Sequence, residues 1–143
     1  MSARKSGYRM SKRQDTKCKY LIDASALYPM LISGNPFNFE EYAVSSLTEY
    51  EIGNILWKEN KKKELDDPKR IAEIFTESIA DLRKIIIDSI VNVLAIAIER
   101  NLTFYDASYA YLAEKENMKL VTEDLDLLKK CKCAIHIKDV EHI

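Results

Sequence analysis

The chain has 143 residues, of which 47% are hydrophobic and 31% are charged, so it is long enough for one compact domain with its own core. Its longest apolar stretch, residues 89–98, is too short to cross a bilayer, and its three cysteines do not make a disulfide framework. A membrane-spanning protein and a secreted disulfide scaffold are therefore excluded, and we expect a cytoplasmic protein.

The formal net charge of −1 hides an uneven distribution of charge. Residues 1–20 carry seven Lys or Arg and one Asp, or +6, which leaves −7 for the rest of the chain. We therefore divide the chain into a basic, flexible arm over residues 1–18 and a folded domain over residues 19–143. The arm either contacts phosphates through screened charge attraction or is a solvated tail.

The first half of the domain alternates short apolar runs with helical patterns. The run 20–22 ends at the polar Asp23, as a buried strand does where it leaves a sheet. Isoleucines and a phenylalanine after Asp67 recur at helical spacing with charges between them. The predicted elements are a strand at 20–22, a helix at 24–32 bent by Pro29, a turn at 34–36, a strand at 43–45, a helix from a capping box at Ser46 or Thr48 to about Asn60, and a helix at 68–82.

The second half continues the same alternation of strands and helices. Residues 91–100 are apolar nearly all round, which predicts a buried helix. The other predicted elements are strands at 85–87, 120–122 and 134–137 and a helix at 103–115. Short strands that alternate with longer helices predict an α/β fold, in which a parallel sheet is covered by helices on both faces.

Four acids fall where such a fold would bring them together. Asp23 and Asp124 follow predicted strands, and Glu51 and Asp106 lie near the starts of helices. The carboxyl ends of parallel strands meet at one edge of a sheet, so we expect these acids to converge there. Carboxylates without a basic neighbour repel one another unless a divalent cation enters, and Mg²⁺ or Mn²⁺ at such a site supports phosphodiester hydrolysis.

Each of the four acids also has a purely structural interpretation. Glu51 and Asp106 could serve only as capping-box partners of Thr48 and Thr103. Asp23 and Asp124 could simply cap helices. The spacing alone leaves both interpretations open.

Four segments of the chain together resemble the motifs of PIN-domain ribonucleases, in order and in spacing. They are residues 21–27 (LIDASAL), 51–57 (EIGNILW), 104–109 (FYDASY) and 120–124 (LVTED). The resemblance covers about residues 19–137 and is greatest to the VapC-type toxins of prokaryotic toxin–antitoxin pairs. It implies a three-layer α/β/α sandwich and a Mg²⁺- or Mn²⁺-dependent endoribonuclease that leaves a 5′-phosphate and a 3′-hydroxyl.

The resemblance also implies roles for individual residues and partners. Asp23, Glu51, Asp106 and Asp124 match the catalytic metal acids, and Ser25, Asn54 and Thr122 match polar residues that support them. The implied partners are an RNA substrate, a small antitoxin protein and a second copy of the chain in a homodimer. The alternatives are a housekeeping RNA-processing PIN nuclease without an antitoxin and a catalytically inactive PIN-like binding module.

Other polar residues are assigned outside this site. Asp88 and Asp126 do not fit the motif positions, and we expect both on the surface. His136 and His142 lack a spaced lysine partner for acid–base ribonuclease chemistry. Cys131 and Cys133, taken with Cys18, lack the four-ligand spacing of a zinc site and are interpreted as buried or incidental thiols. The tyrosines at 105, 109 and 111 are assigned to core packing, with base stacking or a dimer contact as the alternatives.

Overall fold

A computed structural model describes residues 18–34, 38–62 and 65–140 of the chain, so the predicted arm before Cys18 lies outside the described residues. Strands and helices alternate through these ranges as expected. The elements are β1 (Tyr20–Ile22), α1 (Ala24–Ser33), a 3-10 turn (Phe39–Glu41), β2 (Tyr42–Ser45), α2 (Thr48–Lys61), α3 (Pro68–Ala80), β3 (Arg83–Ile85), α4 (Ile90–Arg100), α5 (Phe104–Lys115), β4 (Lys119–Val121), α6 (Leu125–Lys130), β5 (Ala134–Ile135) and a second 3-10 turn (Ile137–Asp139).

The five strands form one parallel sheet in the order β3-β2-β1-β4-β5. Because side chains alternate along a strand, β1 sends Leu21 into the core on one face and Ile22 into the core on the other. The first core packs against α4, α5 and α6, and the second packs against α1, α2 and α3. The predicted three-layer α/β/α sandwich is confirmed.

The sheet order places a crevice beside its central strand. From β1 the chain moves outward to β2 and β3 on one side, and it later returns to β4 and β5 on the other side. β1 and β4 are therefore neighbours whose following loops diverge to opposite faces, and the space outside their carboxyl ends is where open α/β sheets bind ligands. Asp23 and Asp124 follow these two strands.

The predicted capping box at the start of α2 is wrong. Leu47 occupies the N-cap position without a side-chain cap hydrogen bond. The Thr48 hydroxyl instead accepts a hydrogen bond of 3.1 Å from the Ser45 backbone N–H and lies 2.9 Å from the Tyr109 hydroxyl. Because the Thr48 hydroxyl is bonded to these two groups, it does not cap the N-terminus of α2.

The prediction that residues 91–100 form a buried helix is also wrong in part. The helix exists as α4, but only Val93 and Ala97 are buried, while Val91 and Ile98 are 77% and 73% exposed. Ile96 is partly buried against the core, so the exposed apolar side chains of α4 lie on the part of the helix that faces away from that core. No helix within the described ranges is long and apolar enough to cross a membrane.

Two predicted strands are displaced or shortened. The predicted strand at 85–87 is found at Arg83–Ile85, since the pairing with β2 ends at Ile85 and leaves the next residues in the loop to α4. The last strand ends at Ile135, because a 3-10 turn capped by His136 follows it.

Gly53 provides a test of the packing around α2. A Cβ atom at this helical position would meet no atom within 4 Å. We expect Gly53→Ala to raise the free energy of unfolding by about 0.5–1 kcal/mol, because alanine loses less backbone entropy in a helix. Chemical denaturation measures this change. The control Gly34→Ala, at the C-cap of α1 with φ +72°, should lower stability, and a gain there or a loss at Gly53 would contradict the packing described.

Candidate active site

A pocket of about 640 Å³ opens at the carboxyl edge of the sheet, and its size suits a nucleotide-sized group. All four predicted acids line it, together with the predicted supporting residues Ser25 and Asn54. The structure thus brings together residues that are separated by up to about a hundred positions in the sequence. The described residues that line it are Asp23, Ala24, Ser25, Leu47, Tyr50, Glu51, Asn54, Ile55, Tyr105, Asp106, Tyr109 and Asp124.

Asp23 is the most buried of the four acids, with 5% of its surface exposed. One carboxylate oxygen, Oδ1, accepts hydrogen bonds from the Ser25 hydroxyl at 2.7 Å and from the Ala26 backbone N–H at 3.1 Å, so Asp23 caps α1. The other oxygen, Oδ2, accepts from the Thr122 hydroxyl at 2.5 Å. Burial raises the pKa of Asp23 in spite of these donors, and the charge of Asp124 adds to the increase.

The hydroxyls of Ser25 and Thr122 connect the loops after β1 and β4. Each donates to Asp23, and each accepts a backbone N–H at 3.0 Å, from Glu123 and Asp124 respectively. Thr122 is fully buried behind Asp23. The predicted supporting residues therefore fix Asp23 and the backbone before Asp124 relative to each other.

Glu51 is positioned by a chain of hydrogen bonds that begins in β2. The Tyr109 hydroxyl donates to Glu51 Oε1. Because this uses the only hydroxyl hydrogen of Tyr109, Thr48 must be the donor in the 2.9 Å contact between Thr48 and Tyr109. Burial raises the pKa of Glu51, and the charges of Asp23 and Asp106 raise it further while the Tyr109 hydrogen bond opposes them.

Asp106 lies in the first turn of α5, and Asp124 lies at the N-cap of α6. Burial, followed by the charges of Asp124 and Asp23, raises the pKa of Asp106 to about 6. Asp124 Oδ1 accepts a 3.1 Å hydrogen bond from the Leu127 N–H, which leaves its second carboxylate oxygen unused by the cap. Both carboxylates also sit at helix N-termini, where the partial positive charge favours an anion.

The donor set suits a hard divalent cation. Four carboxylates and no Lys or Arg are found among the described residues that line the pocket. Oxygen ligands of this kind are those that Mg²⁺ and Mn²⁺ prefer. A cation would offset the burial and the repulsion that together raise the pKa values of Asp23, Glu51 and Asp106.

The structural interpretation is correct for Asp23 and Asp124, and it does not exclude a functional role for them. Asp23 and Asp124 do cap α1 and α6, and Thr103 caps α5 by accepting from the Asp106 N–H at 3.1 Å. Glu51, by contrast, does not form the predicted capping box, since its side chain bonds to Tyr109. The cap uses one carboxylate oxygen of Asp124 and leaves the other for a ligand, whereas Asp23 Oδ2 also accepts the Thr122 hydroxyl and keeps one lone pair for a ligand.

Sequence reasoning missed the part that Tyr109 plays in the pocket. Tyr109 is 1% exposed, in agreement with core packing, yet its hydroxyl is bonded to Glu51. Its position three residues after Asp106, on the same helix face, is the signal that could have indicated this. Tyr105 lines the pocket with 57% exposure, and Tyr111 lies elsewhere and bonds to Asp88.

The acids and the histidine left outside the site are also outside the pocket. Asp88 is exposed and pairs with Lys115, and Asp126 is exposed in the first turn of α6. His136 caps the last 3-10 turn. The surface assignment of Asp88 and Asp126 is confirmed, while His142 lies beyond the described residues.

A model of the PIN domain family, described as "PIN domain", matches residues 20–132. The chain is 42% identical over 123 residues to a Pyrobaculum aerophilum protein named exonuclease VapC9, covering 84% of this chain and 91% of that protein. It is 32% identical over 126 residues to ribonuclease VapC3 of the same organism, covering 78% of this chain and 94% of that protein.

Solved structures share the fold described above. The crystal structure of PAE2754 from P. aerophilum matches with a TM-score of 0.79 and 39% identity, covering 85% of this chain and 92% of that chain. A DNA-bound VapBC structure from Salmonella typhimurium matches with a TM-score of 0.65 and 16% identity, covering 84% and 97%. The second likeness, at this identity, concerns the fold alone.

The raised carboxyl pKa values predict how stability depends on pH without metal. Asp106 has a pKa of about 6 in the folded state, against an ordinary value of 3.8 in the unfolded chain. Between these two pH values the folded chain therefore binds more protons than the unfolded chain. Stability in chelator should therefore fall as pH rises from about 4 to about 6, and stay low above it. Mn²⁺ should restore the melting temperature at neutral pH.

Calorimetry on Asp106→Asn and Asp88→Asn tests the cause of this dependence. Asp106→Asn should flatten the fall, because the repelled charge is gone. Asp88→Asn should leave the fall unchanged, since the Lys115 hydrogen bond lowers the pKa of Asp88 and its effect lies at more acidic pH. A melting temperature that rises across this window in the chelated wild type would contradict the described repulsion.

Proposed function

Because the chain belongs to the PIN domain family, we propose that it is a divalent-metal-dependent endoribonuclease and the toxin of a VapC-type toxin–antitoxin pair. The observation that carries the proposal is the convergence of Asp23, Glu51, Asp106 and Asp124 on one pocket outside the carboxyl ends of β1 and β4. Both named relatives are nucleases by name, which supports hydrolysis of a nucleic acid.

The four acids are proposed as the catalytic metal ligands for Mg²⁺ or Mn²⁺. A bound cation supplies positive charge beside the scissile phosphate and favours ionisation of the attacking water. The chain contributes fixed oxygens: Ser25 and Thr122 hold Asp23, and Tyr109 holds Glu51. Asn54 lines the pocket one turn after Glu51 and is proposed to contact the substrate or the water shell.

RNA is proposed as the substrate, with cleavage inside the strand. Tyr50 and Tyr105 line the pocket and are 77% and 57% exposed, so their rings are available to stack on unpaired bases. The name of one relative, an exonuclease, states a mode of cleavage, whereas the name of the other, a ribonuclease, states only the substrate. The mode for this chain is therefore a proposal that needs a direct test.

An antitoxin is proposed as the protein partner that inhibits the pocket. Support comes from the VapC names of the relatives and from the toxin–antitoxin complexes found among proteins of the same fold. A guanidinium from such a partner would find four carboxylates and could pair with two oxygens at once. A housekeeping nuclease of the same family would lack such a partner.

A homodimer is proposed to cover the apolar face of α4. This face consists of Val91, Leu94 and Ile98, which recur at three- and four-residue spacing and are 48–77% exposed. Ile86 and Ile90 extend it and are also exposed. A stripe that is apolar along its whole length complements itself about a two-fold axis, so a second copy of the chain can bury it.

A circular RNA distinguishes the proposed activity from its alternatives. We expect the wild type to linearise a circular RNA in Mn²⁺ and to be inactive in chelator, because only an endonuclease can open a circle. Asp23→Asn and Asp106→Asn should lose activity by about a hundredfold or more, and Tyr109→Phe by about 10–100-fold through the position of Glu51. Gel electrophoresis of the products measures these changes.

Asp88→Asn is the matched control, since Asp88 is exposed and lies outside the pocket, and circular dichroism should show that every variant is folded. Degradation of linear but not circular RNA would show that the activity is that of an exonuclease and not of an endonuclease. Binding of RNA without any cleavage in Mn²⁺ or Mg²⁺ would favour the inactive binding module.

The dimer can be tested by placing charge on its proposed interface. Val91→Lys with Ile98→Lys should convert a dimer to a monomer. The two copies together would bury four such side chains, at about 1.5 kcal/mol each, so their loss weakens the dimer by about 6 kcal/mol, or about ten-thousandfold in Kd. Light scattering measures the mass. Ile74→Lys, on α3 across the sheet and 42% exposed, should remain dimeric. A monomeric wild type at high concentration would disprove this interface.

A further inference from the structure

A second group of possible metal ligands lies outside the carboxylate pocket. One ligand atom each from Glu114, Cys131 and Cys133 lies within 4.8 Å of the other two. Glu114 is near the end of α5, Cys131 follows α6, and Cys133 precedes β5. The third thiol, Cys18, is elsewhere and lies 3.6 Å from the carbonyl oxygens of residues 40 and 42. The sequence offered no further ligand near Cys131 and Cys133, whereas the fold places the Glu114 carboxylate beside them.

The distances in this group are close to those of a tetrahedral site. Bonds of about 2.3 Å to sulfur and about 2.1 Å to oxygen place two sulfur ligands about 3.8 Å apart and a sulfur and an oxygen about 3.6 Å apart. Cys131 Sγ lies 3.6 Å from Glu114 Oε2 and 3.1 Å from Cys133 Sγ. For a tetrahedral site the two sulfurs must separate by a fraction of an ångström, and the remaining pair, Cys133 Sγ and the Glu114 oxygen, already lies within 4.8 Å.

The charges also allow a dication to bind. Two thiolates and one carboxylate around a dication sum to −1, and the guanidinium of Arg100 balances this charge. Arg100 donates to both oxygens of Glu114, at 2.7 and 3.0 Å. If Oε2 turns to the cation, the bond from Arg100 to Oε1 can remain and orient the carboxylate, as outer hydrogen bonds do at metal sites.

The backbone holds the two cysteines in place before any cation arrives. The Cys131 N–H donates to the Leu127 carbonyl, and the Ala134 N–H donates to the Cys131 carbonyl at 3.1 Å. The Cys133 carbonyl accepts from Leu120 in β4 at 3.0 Å. Cys131 is buried and Cys133 is half-buried, so the sulfurs are largely shielded from solvent while Glu114 gives access from the surface.

We propose that Glu114, Cys131 and Cys133 bind a thiophilic divalent cation of the Zn²⁺ class, with water as the fourth ligand. On binding, each thiol releases its proton to solvent, and the three residues hold the end of α6 against α5 and β5. A disulfide is the less favoured fate of the pair, because its sulfurs would have to close from 3.1 Å to about 2.05 Å and Glu114 would have no part in it.

Co²⁺ titration of the reduced, metal-free full chain tests this site. Thiolate-to-cobalt charge transfer absorbs in the near ultraviolet, whereas Co²⁺ bound to carboxylates alone gives no such band. We expect the band to saturate at one equivalent and to be abolished by Zn²⁺. Cys131→Ser and Cys133→Ser should remove it, and Glu114→Gln should weaken Co²⁺ binding by about tenfold or more.

Two matched variants should keep the band: Cys18→Ala removes the thiol outside the group, and Asp106→Asn alters only the carboxylate pocket. Absence of the band in the wild type, with all three thiols shown to be reduced, would overturn the proposal. If Glu114→Gln bound Co²⁺ with the same affinity as the wild type, the proposed site with Glu114 as its third ligand would also be overturned. If a serine variant fails to fold, the wild-type spectrum and the surface variant Glu114→Gln still decide. None of these results depends on nuclease activity.

Discussion

The buried carboxylate of Asp23 is the constraint on which the rest of the pocket depends. It ends the central strand, caps α1 and accepts the hydroxyls of Ser25 and Thr122. Those hydroxyls in turn bind the backbone of the loop that presents Asp124. One side chain thus joins β1 and β4, the two neighbouring strands at which the strand order of the parallel sheet reverses. The position of a second acid follows from the hydrogen bonds of the first.

This arrangement stabilises the fold locally and opposes it electrostatically. The caps and hydroxyl bonds favour the ionised carboxylates, yet burial and mutual repulsion raise the pKa values of Asp23, Glu51 and Asp106. A site that was only structural would have gained stability from a lysine or arginine, and none is found among the pocket-lining residues that the structure describes. The retained repulsion supports the proposal that these acids bind a cation in addition to capping helices.

The sequence predicted those features that depend on local pattern. Asp23 and Asp124 follow apolar runs. Once such a run is correctly predicted as a strand, the acid after it is placed at the edge of the sheet. The exposure of α4 was missed because an apolar helix has the same sequence pattern whether its partner belongs to its own chain or to another. The capping box of α2 was predicted wrongly because the Thr48 hydroxyl is bonded to the Tyr109 hydroxyl, 61 residues away in the sequence. Contacts of that range are set by packing, which local spacing does not encode.

The two proposed sites lie at opposite ends of α6, and their chemistry keeps them apart. Asp124, at its N-terminus, belongs to a pocket of carboxylates that suits a hard cation, whereas Cys131, at its C-terminus, belongs to a group that suits a soft one. α6 has six residues and is too short to be stable without fixed ends. A cation that holds Cys131 and Cys133 would fix the end of α6 far from the pocket. The orientation of Asp124 would then depend on the carboxylates of the pocket and on the group of Glu114, Cys131 and Cys133. These two groups do not compete for the same ion, because one suits a hard cation and the other a soft one.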